Sequence, residues 1–130
     1  MPDAESMICP VEATLRLIGG KYKALILWNL TGRTLRYSEL RRLVVSATPK
    51  MLTQQLRELE TDGLVRRNVY PVVPPRVEYS LTDMGVSIRP VLEAMYGWGE
   101  GYLRGKGLEP NCPMCPPRPR GETCCCGETA

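Results

Sequence analysis

The spacing of apolar residues is most regular between Thr48 and Gly63, where it predicts an amphipathic helix. Three leucines repeat at intervals of four and three, which places them on one helical face. They are Leu52, Leu56 and Leu59. Thr48 is a good N-cap because its hydroxyl can accept a hydrogen bond from a free first-turn amide, and Pro49 suits the first helical position. Gly63 ends the helix, since glycine readily adopts the backbone conformation that follows a C-cap.

Two stretches rich in β-branched and aromatic residues follow, and they predict a pair of strands. Val65–Tyr70 and Val77–Leu81 have this composition. The connecting segment Pro71–Arg76 contains prolines that favour extended backbone, so we expect Arg76 to be held on a stiff loop. A helix, a glycine stop and a β-hairpin in this order are typical of a recognition helix followed by a β-wing. The predicted fold is therefore mainly α with a small wing, a winged helix-turn-helix.

Shorter patterns predict the elements that precede the recognition helix. Pro10 opens a first helix, and Lys21–Leu30 is apolar on most sides, as expected of a helix in the centre of a core. Thr34–Arg36 is a candidate strand that would pair with the wing. Ser38 is expected to cap a short third helix, and a tight link leads from it to the recognition helix.

A seam of apolar residues at alternating spacings of four and three predicts a long last helix, capped by Thr82. The seam consists of Met84, Ile88, Val91, Met95, Trp98 and Tyr102. Pro90 lies within it and should kink the helix. One end of the seam is expected to cover the core of the domain itself. The remainder is longer than a winged domain needs and favours a homodimer on a two-fold DNA site.

The composition fits one small domain with little equipment for catalysis. The chain has 130 residues, is 43% hydrophobic and has no apolar run long enough to cross a membrane. It has no histidine and no Gly-rich phosphate loop, so we do not expect an enzyme. Because no membrane-spanning run is present, we expect a cytoplasmic protein. Residues 1–8 form an arm unlike a signal peptide, and residues 9–104 form the domain. Residues 105–130 form a Pro- and Cys-rich tail, expected to be disordered unless cross-linked or metal-bound.

The recognition-helix face opposite the leucines carries side chains suited to DNA. Lys50, Gln54 and Arg57 lie on it with Thr53 beside them, and such side chains contact base edges and phosphates. The acidic residues gather toward the end of the helix that would lie away from the groove. These are Glu58, Glu60 and Asp62. A merely solvated face is the alternative for any helix, and a net charge of +3 does not by itself identify a DNA-binding protein.

Several ordered blocks resemble the HxlR-type winged helix-turn-helix transcription regulators of bacteria and archaea, over about Cys9 to Leu103. The blocks are Cys9–Glu12, Leu17–Lys23, Ser38–Arg42, Pro49–Glu60, Val73–Thr82 and Gly97–Gly99. The resemblance implies a dimeric, sequence-specific regulator. In such proteins the helix matching residues 48–62 enters the major groove, and the loop carrying Arg76 reaches the minor groove or phosphates. Tyr22 and Tyr37 stand where relatives often carry other aromatic residues, which puts little in doubt.

The resemblance also implies that the first and last helices form the dimer. The interface residues expected on this basis are Val11, Leu15, Ile88, Val91, Met95, Trp98 and Tyr102. The cysteine-rich tail has no counterpart in the family pattern, so the resemblance implies nothing about it.

Cys9 is the first of two places where cysteine chemistry is a candidate. It lies at a predicted helix N-terminus, where free amides and the helix dipole favour a thiolate. The resemblance adds that some relatives sense oxidants or electrophiles through a cysteine at the matching position. The alternative is a small, half-buried cap residue without reactivity.

The tail is the second place, and its five cysteines leave three interpretations open. They are Cys112, Cys115, Cys124, Cys125 and Cys126. A C-x-x-C pair with further cysteines nearby can bind a thiophilic metal, either zinc or copper(I). Thiol–disulfide exchange and a tail without a defined role are the other two.

These observations predict a homodimeric transcription regulator that binds a double-stranded operator, requires no cofactor and responds to a small effector or to thiol oxidation. The expected DNA contacts are Lys50, Thr53, Gln54 and Arg57 from the helix, Arg76 from the wing, and Ser38 as a phosphate donor. The alternative is a metal-handling or thiol-redox protein in which the tail cysteines carry the function.

Overall fold

The computed structural model describes residues 8–108, which form six helices and a small three-stranded sheet. The elements in chain order are α1 (Pro10–Ile18), α2 (Lys23–Leu30), β1 (Leu35–Arg36), α3 (Tyr37–Leu43), α4 (Pro49–Thr61), β2 (Val65–Tyr70), β3 (Arg76–Leu81), α5 (Asp83–Ser87) and α6 (Arg89–Gly105). The predicted mainly helical fold with a β-wing is confirmed. Within this part of the chain, no helix is both long enough and apolar enough to cross a membrane.

The hydrophobic core lies where α2, α3 and α4 meet. Ile26 and Leu27 of α2 and Leu40 of α3 are completely buried, and the three predicted leucines of α4 pack against them. The centre of the core thus combines α2, which is apolar on most sides, with the apolar faces of α3 and α4. Burying a leucine of this kind stabilises the fold by about 1.5–3 kcal/mol.

The recognition helix α4 begins and ends as its sequence predicts. The Thr48 hydroxyl accepts a hydrogen bond from the Met51 amide at 3.2 Å. At the other end Gly63 adopts a positive φ of 83°, which only glycine tolerates without strain. The chain then reverses, and the Leu64 amide donates to the Leu59 carbonyl at 2.9 Å. Both ends of α4 are therefore fixed by local contacts.

The sheet joins the wing to the middle of the chain. β2 and β3 pair antiparallel, with Val65 opposite Leu81, and β1 pairs antiparallel with β3, with Leu35 opposite Tyr79. The strand order is β1-β3-β2. The predicted pairing of a short strand with the wing is confirmed, and it anchors the hairpin beside α4.

The helix before the recognition helix begins earlier than predicted. α3 starts at Tyr37 with Arg36 as its N-cap, so Ser38 is its second residue and not its cap. The Glu39 carboxylate accepts a hydrogen bond from the Arg36 amide at 3.0 Å, and this contact lowers the pKa of Glu39 below its ordinary value. The expectation for Ser38 was wrong because Arg36 also ends β1, so strand pairing fixes where the helix can start.

The prediction of a single, kinked last helix is also wrong, because two helices occupy this stretch. Thr82 caps the short α5, accepting a hydrogen bond from the Gly85 amide at 3.1 Å. The chain breaks at Ile88, which is the C-cap of α5 and the N-cap of α6. Pro90 is the second residue of α6, and its missing N–H cannot continue the hydrogen-bond ladder of α5. The proline therefore separates two helices.

Candidate nucleic-acid interface

Four of the predicted DNA-contacting side chains share one solvent-exposed face of α4. Lys50, Thr53, Gln54 and Arg57 are all exposed, whereas the leucines of the opposite face are buried. The Thr48 cap and Pro49 hold the first turn of the helix beside this face. This face carries side chains of different lengths, with hydrogen-bond donors and acceptors, along about two turns of helix. Contacts of these residues with DNA remain a prediction.

The start of α4 is tied to α3 by two hydroxyl groups. The Tyr37 hydroxyl donates to the Pro49 carbonyl at 3.2 Å, and the Thr53 hydroxyl donates to the Tyr37 oxygen at 3.3 Å. Sequence reasoning treated Tyr37 as an aromatic variant without consequence. The only signal for this contact would have been a phenol at the first position of the helix preceding the recognition helix. The structure brings Tyr37 to the candidate interface.

An ion pair turns the first acidic residue of α4 away from the candidate DNA face. Glu58 Oε1 lies 3.3 Å from Lys23 Nζ of α2, and the Gln55 side-chain amide donates to Glu58 Oε2 at 3.1 Å. Lys23 is buried and Glu58 is partly exposed. The carboxylate is thus occupied by contacts with the body of the domain. Less negative charge remains to oppose a phosphate backbone.

Arg67 is a further basic residue that sequence reasoning missed. It lies on β2 directly opposite Tyr79, so both side chains are on the sheet face that packs against α4. An open cavity of about 240 Å³ lies between this face and α4. Its lining residues are Thr53, Leu56, Arg57, Glu60, Arg67 and Tyr79. The alternation of β2 would have pointed to Arg67, because every second residue of a strand shares a face.

The wing differs from the prediction in the position of Arg76. Arg76 is the first residue of β3, paired with Tyr70 at the end of β2, and is not part of the loop. Strand pairing holds its backbone, and its side chain is exposed. The loop itself, residues 71–75, is exposed throughout. Glu78 lies near Tyr70 and raises the pKa of that phenol above its ordinary value.

Ser38 lies in the first turn of α3 and is exposed. A hydroxyl in this position can still donate to a phosphate, although it does not cap the helix. The proposed phosphate contact of Ser38 therefore depends only on the exposure of its side chain beside the recognition helix.

Cys9 has the position that the sequence predicts. It is the N-cap of α1, with Pro10 as the first helical residue, and it is an exposed free cysteine. No first-turn amide makes a full side-chain cap hydrogen bond with it. The backbone amides of Glu12 and then Val11 nevertheless lower the pKa of the Cys9 thiol below its ordinary value. A lowered pKa favours the thiolate, which is the reactive form of cysteine.

The metal expectation concerns Cys112, Cys115 and the run Cys124–Cys126, all of which lie outside the described residues. Within residues 8–108, no group of three or more His, Cys, Asp or Glu side chains is arranged to hold a metal ion.

Most of the expected dimer-interface residues are exposed in this single chain. They are Val11, Leu15, Val91, Met95, Trp98 and Tyr102. Trp98 is 73% exposed and stacks on Tyr102 with their ring centroids 5.4 Å apart. Ile88 differs, because it is only 8% exposed and belongs to the core of the domain. One end of the seam thus covers the core, as expected, and little of Ile88 is left for a second copy.

Comparison with known proteins gives a helix-turn-helix family and related transcription regulators. The family described as HxlR-like helix-turn-helix matches residues 17–106. An uncharacterised HTH-type transcriptional regulator, YdeP of Bacillus subtilis (strain 168), is 52% identical over 94 residues, covering 72% of this chain and 73% of the relative. An uncharacterised HTH-type transcriptional regulator of Methanothermobacter thermautotrophicus is 49% identical over 98 residues, covering 75% of each chain. Both are named as transcription regulators.

A solved structure supports the same assignment. The redox regulator HypR in its oxidised form is 50% identical, covers 72% of this chain and 96% of its own, and superposes with a TM-score of 0.69. Its reduced form superposes with the same TM-score. The family match covers most of the chain, and the relatives share about half of their aligned residues with it. This chain therefore belongs to the HxlR-like helix-turn-helix family of transcription regulators.

Proposed function

We propose that this transcription regulator is a homodimer that binds a pseudo-palindromic DNA operator through α4 and the wing. The observation that carries the proposal is the exposed polar face of α4. Lys50, Thr53, Gln54 and Arg57 line this face, while Lys23 draws the nearest carboxylate toward α2. An α-helix with such a face fits the major groove, where base edges present donors and acceptors.

The exposed side chains divide into two kinds of contact. Gln54 and Arg57 have the donor and acceptor groups that pair with adenine and guanine edges, so they are assigned to base contacts. Lys50 and Ser38 are assigned to phosphates, which position the protein without selecting a sequence. Arg76 is held at the tip of the wing hairpin, where the strands meet the loop, and from there it can reach the flanking backbone. Arg67, in the cavity beside Arg57, adds positive charge to the same side.

The exposed apolar side chains of α1 and α6 support the homodimer. Val11 and Leu15 of α1 are 67% and 59% exposed, and Trp98 of α6 is 73% exposed. A second copy would cover these surfaces, and a two-fold dimer places two recognition helices on successive turns of one DNA face. The expected operator is therefore two half-sites related by symmetry.

Selection from a pool of randomised DNA duplexes tests the proposal directly. The full chain should enrich a sequence with two inverted half-sites whose centres lie about 10 base pairs, or a multiple of that, apart. Sedimentation of the protein with the enriched duplex should give two chains per duplex. Enrichment of no sequence at all would remove the DNA-binding assignment. Enrichment of a single asymmetric half-site would remove the dimer.

Thiol oxidation is a second part of the proposal, favoured by Cys9. The thiol is exposed at a helix N-terminus that lowers its pKa. The structural likeness to HypR, a protein named as a redox regulator, adds support. Because α1 contributes to the proposed dimer face, modification of Cys9 would alter the spacing of the two recognition helices. The test is operator binding by the protein before and after oxidation of its thiols.

A further inference from the structure

The side chains of Thr53 and Tyr37 form a short chain of hydrogen bonds that ends on the backbone of α4. The Thr53 hydroxyl lies 3.3 Å from the Tyr37 hydroxyl, which lies 3.2 Å from the Pro49 carbonyl oxygen. Thr53 is exposed on the candidate DNA face, and Tyr37 is half-buried and packed against the core. These two hydrogen bonds therefore connect the half-buried ring of Tyr37 to the solvent-facing hydroxyl of Thr53.

The direction of both hydrogen bonds follows from the number of hydrogens available. A carbonyl oxygen only accepts, so the single hydroxyl hydrogen of Tyr37 points at Pro49. The Tyr37 oxygen can then only accept, and the hydrogen between the two hydroxyls comes from Thr53. Thr53 has no second hydroxyl hydrogen. Its oxygen presents only lone pairs to a molecule bound outside.

We infer that Tyr37 makes Thr53 an acceptor-only contact, and thereby sets which bases it selects. The inference rests on the proposed DNA binding by α4. In the major groove adenine and cytosine carry amino groups that donate, whereas thymine O4 and guanine O6 and N7 only accept. Thr53 is therefore specific for an amino base, adenine or cytosine, at the position it contacts. Tyr37 does not touch the DNA in this scheme and acts as a positioning residue through Thr53.

Loss of the Tyr37 hydroxyl alone should relax this selection. In Tyr37→Phe the ring stays in place, but the Thr53 hydrogen is free to rotate toward the Pro49 carbonyl or outward to a base acceptor. Thymine and guanine then become acceptable partners. The Thr53 methyl group can also contact a thymine methyl, which is a separate effect. Thr53→Val keeps a methyl group and removes the hydroxyl, so it separates the two.

The experiment compares base preferences of full-length variants selected on the same randomised duplexes. Thr53→Val identifies the operator position that the Thr53 hydroxyl contacts, since the preference changes there. At that position the wild type should prefer adenine or cytosine over thymine or guanine by about fivefold. Tyr37→Phe should reduce this preference to less than about twofold, with little change at other positions.

Tyr22→Phe is the matched control, because it also removes a phenol that donates to a backbone carbonyl. The Tyr22 hydroxyl donates to Ser46, in the link before α4, at 3.0 Å, and its ring is buried. This variant should leave the base preference at the mapped position unchanged. If Tyr22→Phe relaxed that position as much as Tyr37→Phe, the effect would be general loosening of the domain and the inference would fail.

Other outcomes overturn the inference while leaving operator binding intact. One is a preference for thymine or guanine at the mapped position in the wild type. Another is an unchanged preference in Tyr37→Phe, or no position altered by Thr53→Val. If the wild type selects no DNA, the proposed function fails and this inference fails with it.

Discussion

Lys23 Nζ lies 3.3 Å from Glu58 Oε1, and this ion pair joins the central helix α2 to the recognition helix α4. The Lys23 side chain is only 10% exposed, whereas the Glu58 side chain is 44% exposed. The pair therefore sits at the edge of the core, with the ammonium group inside. It adds a polar contact between α2 and α4 beside the buried leucines of α4, whose packing turns the opposite face of the helix outward.

Glu58→Gln should destabilise the domain by about 1–2 kcal/mol. The neutral amide leaves the buried ammonium of Lys23 without a counter-charge, and the partial exposure of Glu58 keeps the effect below that of a fully buried pair. Urea denaturation followed by circular dichroism measures the change. Glu12→Gln is the control, because it breaks an exposed i,i+4 pair with Arg16 and should cost less than about 0.5 kcal/mol. If both variants lost the same free energy of unfolding, Lys23 would not depend on Glu58 as its counter-charge.

Gln54→Ala and Arg57→Ala should each weaken binding to the selected operator by about 1–3 kcal/mol while changing binding to random DNA much less. Base contacts favour one sequence, whereas phosphate contacts strengthen binding to every sequence. Arg76→Ala should instead lower affinity for both kinds of DNA by similar factors. Titration of labelled duplexes at fixed salt measures all three. Arg104→Ala, an exposed arginine on α6, is the control and should change neither affinity. Equal losses on both DNAs for Gln54→Ala would remove it from base contacts.

Trp98→Asp should convert the dimer to monomers and thereby weaken operator binding. Trp98 is 73% exposed in the single chain, so the charge does not disturb the core, but a second copy would have to bury it without a partner. Sedimentation velocity measures the assembly state. Val45→Asp is the matched control, since Val45 is an apolar residue that is 79% exposed and lies outside α1 and α6. Persistence of the dimer in Trp98→Asp would place the interface elsewhere.

The sequence predicts those elements whose causes are local. The cap at Thr48, the leucine spacing and the positive φ of Gly63 each act within a few residues, and the structure has α4 between them. The β2 strand also has the predicted bounds, Val65–Tyr70. Each of these features follows from propensities and spacing that a single segment contains.

The features that sequence reasoning missed depend on contacts between distant segments. Arg76 joins β3 because Tyr70 lies opposite it, which apolar alternation does not reveal. Arg67 reaches the candidate interface because β2 packs on α4, and Tyr37 does so through Thr53, sixteen residues away. Pro90 produced a break and not a kink, and the burial of Ile88, two residues earlier, in the core fixes where that break lies. Tertiary packing decides each of these cases.

Cys9 should react with iodoacetamide at a lower pH than an unperturbed cysteine. Its pKa in the folded protein is lowered, so its thiolate is present above that pKa and is lost as the pH falls through it. Between the lowered pKa and the ordinary value of about 8.5, the folded chain should react faster at Cys9 than the same chain in urea. The first-turn amides that cause the shift are dispersed in the unfolded chain, which makes it the matched control. Site-resolved mass spectrometry follows the rate, and identical pH profiles in the two states would contradict a shifted thiol.

Oxidation of Cys9, not of the tail, should reduce operator binding by this regulator. The Cys9 thiolate is favoured at the start of α1, and α1 carries Val11 and Leu15 of the proposed dimer face, so a modification there acts directly on assembly. Operator affinity is measured with and without hydrogen peroxide, which oxidises one thiol to a sulfenic acid and is itself reduced to water, for the wild type, for Cys9→Ser, and for a chain whose five tail cysteines are replaced by serine. The response should survive the tail replacement and disappear in Cys9→Ser. A response that persists in Cys9→Ser but is lost with the tail cysteines would assign sensing to residues 112–126.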